Sequence, residues 1–269
     1  MTASAPVIRA QVERGNAALI GFLPLGFPSV AQSVEAAQVL LANGVDVIEL
    51  GFPYSDPAMD GPVIQEATRV ALERGVHLED LLEAVETLSE TGAPILSMTY
   101  WNPIHWYGID RFAHDFAAAG GAGLITPDLP PDDAHQWIDS SNRLGLERVF
   151  LAAPSSTPQR LRTIANASNG WVYAASTMGV TGQRREVDSH TQQLVADCRH
   201  AGAETVCVGL GVSDGAQARQ IGRYADGVIV GSAYVRPLLD QDFDTALQSL
   251  ALLAQEMRLG VDGAREGSR

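Results

Sequence analysis

The chain contains no lysine, so all 18 of its basic residues are arginine. Without a lysine amine it cannot be an imine-forming aldolase, nor hold pyridoxal phosphate through an internal aldimine of its own. Cysteine is nearly as scarce. Cys198 and Cys207 form no paired ligand motif and no disulfide framework, and are expected to be buried free thiols. The six histidines show no metal spacing, which disfavours metal-assisted carbon chemistry. No apolar run approaches the ~20 residues needed to span a bilayer, and Met1 to Asn16 lacks the basic start and apolar core of a signal peptide. A cytoplasmic protein with no membrane partner is therefore expected. Cations are also in deficit: the formal net charge is −14 with no arginine cluster, which argues against nucleic acid. A small anion is not excluded, because backbone N–H groups at helix starts hold phosphate without net positive charge.

What the chain does have is length for one large core, 269 residues at 46% hydrophobic content. One domain covering 1–269 is expected, with its core at about 18–257 and a polar, frayed tail at about 260–269. Apolar segments recur with short connections: Ala18–Leu23, the run around Val47-Ile48-Glu49, Pro94–Thr99, Gly123–Thr126, Arg148–Ala153, Trp171–Ala175, Thr205–Gly209 and Gly227–Val230. Amphipathic stretches lie between them. Ser29-x-x-Gln32 reads as a capping box, Pro62 and Pro158 suit first helical turns, and Gly44 and Gly75 suit terminations. Further helices are predicted from Leu78 to Thr91, Asp110 to Ala119, Pro131 to Arg143, Ser189 to His200, Ser213 to Arg223 and Ser232 to Met257. Eight such strands alternating with helices predict a parallel sheet closed as a (β/α)8 TIM barrel with extra helices. A doubly wound open sheet is the alternative. No G-x-G-x-x-G follows the first strand, which counts against a dinucleotide fold.

In a barrel the active site is built at the carboxyl ends of the strands, and this chain gathers polar residues there. Glu49 ends the second strand, where partial desolvation would raise its pKa and suit it to proton exchange near neutrality. A lone Glu there could equally be paired with a buried Arg. The loop that follows carries Asp56 and Asp60 among Gly51, Pro53, Pro57, Gly61 and Pro62, residues that restrict the backbone. Tyr100 and Asn102 follow strand three and Asp128 follows strand four. Tyr173, within strand six, is either a core aromatic or a substrate contact. Glycines recur after strands six, seven and eight, at Gly179-Val-Thr-Gly182, Gly209-Leu-Gly211 and Gly231-Ser232. Three such sites at consecutive strand ends favour phosphate binding. Loop six, Thr177 to Asp188, is long and rich in Gly, Thr and Arg, consistent with a closing lid or with a solvated loop.

The motifs Glu49-Leu-Gly-x-Pro-Tyr-Ser-Asp-Pro-x-x-Asp60-Gly-Pro, Tyr100-Trp-Asn-Pro103, Pro127-Asp-Leu-Pro130 and Gly179-Val-Thr-Gly182 resemble those of the tryptophan synthase α-subunit family. The likeness runs from Leu19 to about Leu238. It implies a lyase that cleaves indole-3-glycerol phosphate into indole and D-glyceraldehyde 3-phosphate. Carried over by position, it implies Glu49 as general acid/base and Asp60 as the group that holds the indole N–H. It also implies Tyr100, Tyr173 and Thr181 near the substrate, and Gly182, Gly211, Gly231 and Ser232 around the phosphate. A pyridoxal-phosphate β subunit is the implied partner, in an α2β2 assembly, with no cofactor in this chain. The commoner family pattern is broken at Phe27, Met59 and Thr177, the first two expected at the partner face. A non-catalytic allosteric partner subunit and a free-standing lyase are the rival readings.

Overall fold

A computed structural model describes residues 2–175, 184–209 and 211–265. Eight parallel strands close into a barrel in chain order: β1 (Ala18–Pro24), β2 (Val47–Gly51), β3 (Ile95–Met98), β4 (Gly123–Thr126), β5 (Glu147–Ala152), β6 (Val172–Ala175), β7 (Val206–Gly209) and β8 (Gly227–Val230), with β8 pairing back onto β1. The expected TIM barrel is therefore the observed architecture, and the open-sheet alternative is not. Side chains alternate between two cores. One, containing Leu19, Ile48, Ile95 and Leu124, lies between the strands and the helices. The other fills the barrel lumen with Ile20, Val47, Leu96, Ile125, Val149, Cys207 and Ile229. Cys198 and Cys207 are free and buried.

The helices mostly begin where local chemistry places them. α2 (Val30–Ala42) is capped by Ser29, whose hydroxyl accepts from the Gln32 N–H. α3 (Pro62–Glu73) has its proline in the first turn, where no intrahelical donor is lost, and is followed by α4 (Leu78–Ser89). α6 (Ile109–Ala118), α7 (His135–Leu144), α8 (Pro158–Ala167) and α10 (Gly215–Gly222) lie within a few residues of the predicted spans.

Six expectations need correction. The polar N-terminal stretch forms a helix, α1 (Ser4–Glu13), whose Ile8 closes the base of the lumen. It has no cap of its own; the buried Glu147 carboxylate supplies one, accepting from the Ser4 and Ala5 N–H groups and the Ser4 hydroxyl. A short α5 (Trp101–Tyr107) follows β3, its first N–H likewise capped from afar by Asp128. Pro131–Asp133 is a 3-10 turn ahead of α7 rather than part of it. The helix expected from Ser189 begins at Arg184 as α9 (Arg184–His200). The helix expected across Ser232 to Met257 is two, α11 (Ser232–Asp240) and α12 (Phe243–Val261), because Asp242 caps a new start by accepting from Thr245 N–H. Nor does the chain fray at 260: Val261 and Ala264 are buried, and the Arg265 N–H donates to Gly15 O at 3.1 Å.

Candidate active site

Strand alternation turns Val47, Glu49 and Gly51 of β2 toward the lumen, with Phe22 of β1 and Leu96 of β3 in register beside Glu49. The Glu49 side chain is fully buried, and neither carboxyl oxygen has a hydrogen-bond partner among the described residues. The salt-bridge alternative thus finds no arginine here. Burial without compensation favours the neutral acid and pushes the Glu49 pKa up to about 8. Such a group carries a proton at neutral pH and can give it up or take it back.

A pocket has Phe22, Gly51, Met98, Tyr100, Pro127 and Asp60 in its lining, and Phe22 is the register neighbour of Glu49. Asp60 reaches it from the loop between β2 and α3. Partial burial raises its pKa to about 6, so at pH 7 it is mostly a carboxylate in an apolar surround. Asp60 and Glu49 are thus held in opposite protonation states by the same cause acting to different depths. Tyr173, on β6, packs against the lumen cluster. Burial raises its pKa well above the usual tyrosine range, and the nearby Glu49 and Asp60 carboxyls act in the same direction. The Tyr173 hydroxyl therefore keeps its proton.

Two glycines make room for the aromatic walls. A Cβ on Gly209 would lie 2.1 Å from the Tyr173 hydroxyl, and one on Gly51 would lie 2.5 Å from Cζ of Phe22. At either position a larger residue would push a ring into the pocket.

Of the proposed phosphate group, Gly211 follows β7 with φ of +50°, a left-handed conformation that glycine adopts without strain. Gly231 is the N-cap of α11 and Ser232 its first residue, both half-buried at the carboxyl end of β8. The first N–H groups of a helix have no intrahelical acceptors, and those of α11 open toward this end of the barrel. Thr181 and Gly182, like Thr177, lie outside the described residues. Asn102 is exposed on α5. Asp128 has a structural task as the cap of α5. Phe27 is buried, whereas Met59 is exposed. The sequence reading missed the places of Phe22 and Gly51 in the pocket lining. Lumen parity along β1 from Ala18 and Ile20 to Phe22, and along β2 from Glu49 to Gly51, would have found both.

The family described as tryptophan synthase alpha chain matches residues 8–262. A tryptophan synthase alpha chain of Mycobacterium avium is 54% identical over 256 residues, covering 95% of this chain and 93% of that protein. That of Thermobifida fusca is 52% identical over 254 residues, covering 93% of this chain and 94% of that protein. A crystal structure of tryptophan synthase from M. tuberculosis, in an aminoacrylate- and BRD0059-bound form, superposes with a TM-score of 0.89 at 48% identity, covering 97% of this chain and 99% of that one. A tryptophan synthase subunit alpha from Legionella pneumophila superposes with a TM-score of 0.88 at 29% identity, covering 97% and 99%.

Proposed function

The chain belongs to the tryptophan synthase alpha-chain family, and from that premise we propose how its barrel mouth performs the family's lyase reaction, the cleavage of indole-3-glycerol phosphate. The bond to break joins indole C3 to the carbinol carbon of the glycerol chain. Its electron pair returns to the ring if C3 is first protonated and the adjacent hydroxyl loses its proton to become the aldehyde of glyceraldehyde 3-phosphate. One proton is delivered and one removed, so a single carboxyl can manage both. Glu49 is that group. The observation that carries the assignment is its buried, unpartnered carboxyl, protonated near neutrality and in register with Phe22 of the pocket lining.

Protonation at C3 makes the ring cationic. Asp60, ionised at the pocket rim, accepts the indole N–H and stabilises that positive charge. Tyr173 and Tyr100 flank the ring, with Thr181 from loop six closing over it. Gly211, Gly231 and Ser232, with Gly182, receive the phosphate through N–H groups at the α11 start. No step requires a lysine.

Indole passes to a β subunit for tryptophan synthesis. We take that subunit to carry the pyridoxal phosphate, in an α2β2 assembly in the cytoplasm; the absence of lysine here supports the first part, since this chain cannot hold the cofactor as an imine. No described helix is long and apolar enough to cross a membrane. The test of the chemistry is Glu49→Gln in a folded protein with β present: indole release from indole-3-glycerol phosphate is expected to fall by at least 10³-fold, and near-normal turnover would remove Glu49 from the mechanism.

A further inference from the structure

The loop that presents Asp60 is poorly anchored by burial. Ser55, Asp56, Ala58 and Met59 are all exposed, and Met59 is 56% exposed. A turn bond folds the loop upon itself, Asp60 N–H donating to Pro57 O at 3.0 Å, and Gln65 Nε2 of α3 donates to Asp60 O at 2.9 Å. These set the turn and its join to α3, and neither reaches the loop after β3.

The tether comes from the next loop. Tyr100 stacks its ring on Tyr54, with centroids 4.6 Å apart and planes 17° from parallel, and its hydroxyl accepts the Met59 N–H at 3.1 Å. One side chain thereby holds both the early part of the loop and the residue immediately before Asp60. Tyr100 is itself fixed. Its carbonyl accepts from the Thr99 hydroxyl at 3.0 Å, and the following N–H, of Trp101, donates to both Asp128 carboxylate oxygens at 2.9 and 3.1 Å. The Tyr100 ring forms pocket wall while its hydroxyl is engaged by the Asp60 loop.

We propose that Tyr100 and Tyr54 are positioning residues that clamp the exposed loop so that Asp60 points into the pocket. The proposal rests on the role given to Asp60 above. The clamp acts through Asp60, so Tyr100→Phe, which keeps the wall and the stack but loses the acceptor, lowers kcat roughly five- to tenfold, about what one net hydrogen bond supplies. KM changes less than about twofold because the wall is retained.

The test is a double-mutant cycle on indole-3-glycerol phosphate cleavage in complex with β, using wild type, Tyr100→Phe, Asp60→Asn and the double variant. Clamping predicts that Tyr100→Phe costs almost nothing once Asp60 is Asn. A full additional loss in that background, or a rise in KM with kcat unchanged, would overturn the proposal in favour of a direct substrate contact. On the other half of the clamp, Tyr54→Phe keeps the stack and is expected to retain wild-type kcat, whereas Tyr54→Leu loses it; wild-type turnover in Tyr54→Leu also overturns the proposal. Amide hydrogen exchange supplies a readout independent of catalysis. Met59 and its loop neighbours should exchange at least tenfold faster in Tyr100→Phe with barrel strands unchanged, and unaltered loop exchange sinks the clamp even where Asp60→Asn has no measurable turnover. A wild-type complex that releases no indole would refute the lyase assignment while leaving the exchange measurement to decide the clamp.

Discussion

Glu49→Gln should alter the stability of the protein in a pH-dependent way whose size follows from burial. The carboxyl has an ordinary value of 4.5 and a folded-state value of about 8, so between those values the native state holds a proton that the unfolded chain has released. Stability therefore falls as pH rises through this window, by about 1.4 kcal/mol per pH unit, and levels off above it. Worked through the linkage relation, the unfavourable contribution is about 1.4 kcal/mol at pH 5.5, about 3.3 at pH 7 and about 4.6 at pH 8.5. Glutamine fills nearly the same volume and has no proton to lose. The variant should therefore gain on the wild type by about 3 kcal/mol between pH 5.5 and pH 8.5. Asp60 and the other titrating groups are present in both proteins and drop out of the difference to first order. Urea unfolding of both proteins at the three pH values measures it. A difference that stays constant with pH, or shrinks as pH rises, would falsify the claim that Glu49 is a protonated, uncompensated acid in the folded protein.

The same two carboxyls should shape kcat/KM. Asp60 is needed ionised and Glu49 protonated, so activity should fall below about pH 6 and again above about pH 8, and a flat steady-state profile from pH 5 to 9.5 would contradict the paired roles. Asp60→Asn should reduce turnover by about 10²-fold or more with a midpoint of urea unfolding close to wild type, since a rim carboxylate adds little to the core. Gly51→Ala places a methyl group 2.5 Å from the Phe22 ring and should raise KM at least tenfold by driving that ring into the pocket. Phe22→Leu added to Gly51→Ala should restore much of the loss, and absence of any rescue would argue against the ring-on-glycine account. At the base of the barrel, Glu147→Ala strands the Ser4 and Ala5 N–H groups and the Ser4 hydroxyl, and should cost about 2–4 kcal/mol in urea unfolding with lyase activity of the folded fraction unchanged.

What could be read from the residues alone divides along the line between local and distant chemistry. The β strands announced themselves as apolar runs between glycines and prolines, and α2, α3 and α8 carried their starts in Ser29, Pro62 and Thr157. α1 and α5 escaped because their caps come from Glu147 and Asp128, residues on other strands' ends that no neighbouring-sequence pattern links to them. The break at Asp242 was legible in principle as a capping residue, but the apolar periodicity on both sides concealed it. Glu49 could be suspected from its cost, and the resemblance to a family named its role. Its lack of any described partner, which separates an acid/base from half of a buried ion pair, required the coordinates. So did the tie between Tyr100 and the Asp60 loop, which joins residues 41 positions apart.

Ile8 stoppers the lumen at its amino-terminal pole, where α1 is pinned by Glu147 and by the Trp171 Nε1–H donated to Ser4 Oγ at 3.0 Å. A vessel corked at one end has one doorway. Substrate arrives, and both fragments depart, past the rim formed by Tyr100, Asp60 and the ends of β7 and β8. A subunit seated over that doorway would receive indole before it can dilute into the surrounding water. The same end of the lumen is filled by the apolar layer that leaves Glu49 fully buried, so a helix with no direct part in the reaction joins the packing beneath the acid.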